Sequence, residues 1–197
     1  MRRLMVALAL CLCLLALGGP ASAALLVDTG TPPVDSVGWS LSSDQDLASR
    51  FTLTSQSKIT SLAGYMYSLY SSGTATVEIR SDGGGVPGAD VLLSRSLLVP
   101  ESYTPDWRGV HGLHTVLDAG DYWIVFLGGD DIFGGMPDPA PNPLLVEAYS
   151  FDGVWSNYND LDIGVRVYGG PPVPEPCTML LLGGGVLGLA SLKRQRR

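Results

Sequence analysis

Two histidines, His111 and His114, stand three residues apart in GVHGLHTVL. On a helix that spacing would put two imidazoles on one face, as a metal site needs. Here the stretch reads as loop running into strand, and no third ligand is indicated beyond a bare guess at Asp106 or Asp118. Two polar surface imidazoles are the simpler reading. A serine hydrolase needs a nucleophile, a histidine and an acid brought together. Serines are plentiful, but none stands in the GxSxG elbow pattern. A thiol mechanism is excluded from the body, because the three cysteines are Cys11, Cys13 and Cys177, all near the ends. A carboxylate pair is open to any chain this rich in acids, yet most of the acids lie in turns, where Asp is favoured for backbone reasons. The glycine-rich DGGGVPG lacks the following GK[ST] of a phosphate loop. Turn aspartates such as Asp82, Asp90, Asp130 and Asp131 are candidates for calcium in an extracellular setting. Trp39, Trp107 and Trp155 fall near turns and are candidates for stacking on sugar, whereas Trp123 lies in a stretch that reads as core. The expectation is a protein that is not an enzyme, with no metal or other cofactor required.

The elements that must position these residues have period two. TATVEIR places Ala75, Val77 and Ile79 on one face and Thr74, Thr76, Glu78 and Arg80 on the other, a half-buried strand. AGYMYSLY, RFTLT (Arg50–Thr54) and IGVRVY (Ile163–Tyr168) alternate likewise. DYWIVFL (Asp121–Leu127) and LLVEAYSF (Leu144–Phe151) are more continuously apolar, as strands buried on both sides would be. Between them come SDGGGVPGAD, PESYTPDW, LDAGD, GGDDIFGGMPDPAPNP and FDGVW, read as breakers. No window shows convincing helical spacing. The pattern predicts an all-β, antiparallel β-sandwich or jelly-roll-like single domain over residues 24–172. Gly128–Pro143 is its longest expected loop, and such loops at a sandwich end are common ligand sites. Gly169–Val173 reads as a linker stiffened by proline.

Charge is unevenly placed. Arg50, Lys58, Arg80, Arg95, Arg108 and Arg166 face 18 Asp and Glu within the body. A body this acidic argues against nucleic acid, whose binding needs a basic footprint. The other six Lys and Arg mark the ends. Arg2 and Arg3 precede the apolar run Leu4–Leu17, the helix-breaking Gly18-Gly19-Pro20, and Ala21-Ser22-Ala23. Residues 1–23 therefore read as a secretory signal peptide, with Ala21 and Ala23 forming the signal peptidase site and Ala24 opening the mature chain. Without cysteine, the exported body is held by burial and strand pairing instead of disulfides. At the other end, Cys177–Leu192 carries no charge over 16 residues. At 1.5 Å per residue that helix is about 24 Å long, short of a hydrocarbon core of about 30 Å. The basic Lys193, Arg194, Arg196 and Arg197 should remain cytoplasmic and stop transfer.

Pro174-Glu175-Pro176, an apolar helix over 177–192 and a basic cluster over 193–197, in that order, closely resemble the PEP-CTERM sorting signal, placed at 173–197. Cys177 departs from the Ala, Ser or Thr more usual at its position. The resemblance implies a substrate of exosortase, a membrane transpeptidase-like enzyme of Gram-negative bacteria. The tail would be cut near Pro-Glu-Pro after a transient stay in the inner membrane. The protein would then pass to the cell surface or extracellular matrix, in company with exopolysaccharide and biofilm production. More weakly, the body is similar to the choice-of-anchor R type of domain. The matching residues are Asp82, Gly85, Pro87 and Gly88 in the turn, then Gly120, Tyr122 and Trp123. That likeness implies an extracellular β-domain and no particular reaction. Two roles are expected of the body: a structural or adhesive surface module, or a carbohydrate-binding module retained in the exopolysaccharide.

Overall fold

The computed structural model describes residues 23–36 and 38–172. Among these there are twelve strands: β1 (Ala24–Asp28), β2 (Trp39–Leu41), β3 (Gln45–Leu53), β4 (Ser57–Ser68), β5 (Gly73–Asp82), β6 (Pro87–Val99), β7 (Ser102–Leu117), β8 (Gly120–Leu127), β9 (Gly134–Met136), β10 (Glu147–Phe151), β11 (Val154–Asn157) and β12 (Val165–Gly170). They form two six-stranded sheets, and every strand pair is antiparallel. Ala23–Pro171 is one compact unit containing both sheets and the apolar core. No helix among the described residues is long and apolar enough to cross a membrane.

The first sheet runs β1-β12-β4-β9-β2, with β7 also paired to β4. Leu62 lies between Val167 of β12 and Val110 of β7, so those strands flank β4 on opposite edges. The second sheet runs β11-β10-β3-β8-β5-β6. Period-two patterning is realised as expected on β5, where Ala75, Val77 and Ile79 are all buried. They meet Leu62, Met66, Val165 and Val167 of the first sheet in one apolar cluster. Burying each of the larger side chains among them is worth about 1.5–3 kcal/mol, which must hold a fold without disulfides.

β8 is buried on both faces, as its continuous apolar run predicts. Ile124 and Phe126 join the core between the sheets. Trp123 and Val125 point the other way, into a second cluster with Ala48 and Ala148, against which Val86 and Trp155 pack. The β5–β6 turn and the β10–β11 hairpin fold over this outer face, and Asn157 Nδ2 donates to the Gly85 carbonyl at 3.0 Å.

Two expected breakers and part of the expected linker prove to be structured. PESYTPDW supplies the start of the sixteen-residue β7. Pro105 is tolerated there because β7 is an edge strand with β4 as its one neighbour in the sheet. Gly128–Pro143 contains β9, which bridges β4 and β2. Gly169 and Gly170, read as linker, are the last residues of β12. Gly169 is required there: a Cβ would lie 2.5 Å from the Lys58 carbonyl oxygen.

Both ends of the body leave at the same place. Ala24 pairs with Gly169, and Gly170 pairs with Lys58 near the start of β4. The far end of β4 is Ser68, about 33 Å away at the usual rise.

Candidate functional site

A groove of about 420 Å³ lies on the outer face of the first sheet. Strand register builds it. Tyr168, Ser61 and His111 sit side by side across β12, β4 and β7, and Arg166, Ala63 and Gly109 form the next row. The small middle residues make a low floor, and the larger ones make walls. Ser61 Oγ and His111 Nδ1 are 2.8 Å apart. A hydroxyl against an imidazole is half of a hydrolase pair, but no Asp or Glu lines the groove to orient the ring. The Arg166 guanidinium lies 3.8 Å from the centroid of the Trp107 ring, and its Nε donates to Asp28 Oδ1 at 3.0 Å. Trp107 is itself fixed, with Nε1 donating to Thr31 Oγ1 at 3.1 Å and Tyr65 packed at 5.5 Å between centroids. Burial, and then the Asp106 charge, push the Tyr65 phenol upward.

His114 does not join His111. The register slips so that Gly112–His114 bulge opposite Thr60, with Gly112 at φ 69°. No three His, Cys, Asp or Glu converge on a metal position among the described residues. The four calcium candidates are divided between the two ends of β5. Asp82 and Asp90 flank its C-terminal turn, while Asp131 accepts from the Thr74 amide at 3.0 Å at the other end. Asp82 is already occupied. Its Oδ1 accepts from Trp123 Nε1 at 2.8 Å and from the Gly85 amide at 3.3 Å, and its Oδ2 accepts from the Gly84 amide at 3.3 Å. The Trp123 hydrogen bond above all holds the Asp82 carboxyl below its usual value.

Glu147 is a second unusual acid. It is fully buried on β10, with Oε1 accepting from Ser49 Oγ at 2.8 Å and Oε2 from the Asp162 amide at 2.6 Å. Burial pushes its carboxyl up to about 7 against those two hydrogen bonds. Asp162, at φ 47°, is also raised, by burial and then by the charges of Asp160 and Asp138. Glu147 thus ties the 158–163 loop to the second sheet.

The three tryptophans proposed for sugar stacking are not brought together. Trp39, on β2, is half-buried and packs edge-on against Tyr158 at 5.1 Å. Trp155, on β11, lies over the second sheet with Arg80 5.9 Å from its ring. Trp107 alone lines the groove, and its faces carry Arg166 and Tyr65. A separate aromatic cluster was not singled out from sequence. Tyr70, Tyr103 and Phe133 are 72%, 70% and 68% exposed. Tyr70 and Tyr103 are in edge contact at 6.3 Å, and the Leu69 amide donates to the Phe133 carbonyl at 2.6 Å. Tyr70 and Phe133 come from two different loops and Tyr103 from the start of β7, which is why local patterning did not group them. Phe133 belongs to Gly128–Pro143, the long loop expected as a ligand site. The cluster caps the Ser68 end of β4, opposite the end where both termini leave.

Ala23 is the only part of either targeting segment within the described residues, and it lines the groove. Ala21, the sorting triplet Pro174-Glu175-Pro176, the expected helix over 177–192 and the basic cluster lie outside them. Compared with known families, residues 172–197 match the PEP-CTERM protein-sorting motif. The motif marks the chain as an exported protein targeted to exosortase, destined to pass the membrane toward the cell surface. The match covers the tail alone and gives no support to the body's likeness to the choice-of-anchor R type. No curated protein matches the chain.

Proposed function

We propose that this exosortase-targeted chain delivers a non-catalytic β-sandwich that acts as a structural or adhesive module at the cell surface or in the exopolysaccharide matrix of a biofilm. The observation that carries the reading is the polarity of the body. Its two ends leave beside each other through the Ala24–Gly169 pair, and three exposed aromatic residues cap the opposite end. An anchor or a matrix attachment at the first end would present Tyr70, Tyr103 and Phe133 outward. Exposed aromatic surface rimmed by polar residues is typical of interaction sites. The test is the cohesion of biofilm formed by a strain lacking the chain, with the intact gene restored as control. Reduced cohesion is expected, and unchanged cohesion would sink the reading.

A second reading, a carbohydrate-binding module retained in the exopolysaccharide, is favoured by the groove on the first sheet. Its volume is within the roughly 300–1,000 Å³ of small-molecule sites. Retention of the purified body on the host polysaccharide tests it.

A further inference from the structure

We propose that the groove on the outer face of the first sheet binds uncharged hexose units of a polysaccharide, and that signal peptidase cleavage after Ala23 completes it. The inference rests on the carbohydrate-binding reading and on the expected cleavage position. Three features specify the ligand. First, Ser61, Ala63 and Gly109 form a floor low enough for a flat ring to lie across three strands. Second, Arg166 is held before any ligand arrives, by the Trp107 ring and by Asp28. Only its Nε is spent on Asp28, so the other guanidinium donors remain for ligand hydroxyls. Ser61, His111 and Tyr168 add polar groups along one row. Third, the charges select against acids. The Arg166–Asp28 pair is neutral as a unit, and the body carries 18 Asp and Glu against six Lys and Arg. Even with the one positive charge that cleavage adds at Ala24, a body this acidic repels a polyanion, whereas a neutral sugar loses nothing to that field.

Ala23 makes the link to maturation. It lines the groove, and the peptide bond after it is the expected cleavage position. In the precursor this place holds an alanine and an amide with a single N–H. After hydrolysis the alanine is gone, and the Ala24 nitrogen becomes an ammonium, cationic below about pH 8. Ala24 stays paired to Gly169, so the two added donors are held at the rim of the groove. A hydrolysed bond thus converts a closed, donor-poor edge into an open, donor-rich one.

The test uses the compact body in two forms, one beginning at Ala24 and one acetylated at Ala24, titrated with cellohexaose and with a galacturonic acid hexamer. We expect cellohexaose to bind the free-amine form, with binding weakened about tenfold by Arg166→Gln and by acetylation. Ala63→Leu, which fills the floor from outside the core, should abolish it. Trp155→Ala, over the other sheet, should leave it unchanged. Equal affinity for Arg166→Gln and Ala63→Leu would overturn the groove as the site while leaving sugar binding itself intact. Equal affinity of the acetylated form would overturn the role of cleavage. A preference for the galacturonic acid hexamer would overturn the assignment to uncharged sugars. No binding of either oligomer, with no retention on the host polysaccharide, would remove the carbohydrate reading altogether.

Discussion

Trp123 donates its Nε1–H to Asp82 Oδ1 at 2.8 Å, joining a central strand of the second sheet to the last residue of β5. The two residues are 41 apart in sequence, and Trp123 is 0% exposed. The bond lets a fully enclosed indole satisfy its one donor while the same carboxylate orders the Gly84–Gly85 turn.

Trp123→Phe should therefore cost about 1–3 kcal/mol in denaturant unfolding, beyond what the lost ring volume explains. The acid limb supplies a second check. The Asp82 carboxyl is held below 3.8, first by the Trp123 hydrogen bond. A depressed carboxylate contributes stability above its unfolded value and loses it as pH falls through the folded one. Below pH 4 the wild type should lose stability more steeply than Trp123→Phe, and parallel acid curves would contradict this role of the bond.

Glu147 predicts the opposite slope. Its folded value, about 7, lies above the ordinary 4.5. The folded state then holds a proton that the unfolded chain has released, so the contribution is full below pH 4.5 and is lost as pH rises toward 7. The size is about 3 kcal/mol at one pH unit per 1.36 kcal/mol. Glu147→Gln keeps an acceptor for the Asp162 amide and a donor for Ser49. The expected result is a melting temperature that no longer falls between pH 5 and 8 and that exceeds the wild type at pH 8. A wild-type profile already flat over that range would refute it.

Replacing Pro174-Glu175-Pro176 with alanines should leave the precursor in the inner-membrane fraction and deplete it from the surface and matrix. Immunoblotting of fractionated cells reads this directly. Normal amounts outside the cell would contradict recognition of the triplet by exosortase.

The combined change Tyr70→Asn, Tyr103→Ser and Phe133→Ser removes the exposed aromatic cap. Stability should move by no more than about 1 kcal/mol, because the three side chains are mostly solvated and Asn tolerates the φ of 65° at position 70. Adhesion of body-coated beads to host cells should fall severalfold while binding of cellohexaose persists. Undiminished adhesion would place the contact elsewhere.

Much of the fold is written in local pattern. Ala75, Val77 and Ile79 declare their inward face, and the run around Trp123 declares a strand covered on both sides. The tail is legible because its three parts act as a linear signal. The site is harder to read for reasons of geometry. Arg166 and Tyr168 stand on the polar face of an evident strand, yet the groove exists only once β4 and β7 are laid beside them. Pro105 hid the beginning of β7, since a proline excludes a central strand but not an edge one. Trp107 was expected to be open to a sugar, and only the packed structure shows Arg166 and Tyr65 against its ring.

The first strand of the body pairs with the last: Thr29 Oγ1 reaches the Val165 carbonyl across 136 residues. β1 has no other neighbour in its sheet. β1 therefore finds its partner only in the last strand of the body, and so long-range a closure is the slowest kind of contact to form. Only Pro171 separates the closing strand from the sorting motif. Any truncation that removes the sorting motif together with β12 also strips β1 of its one partner, so loss of the tail and loss of the closed body lie a single residue apart.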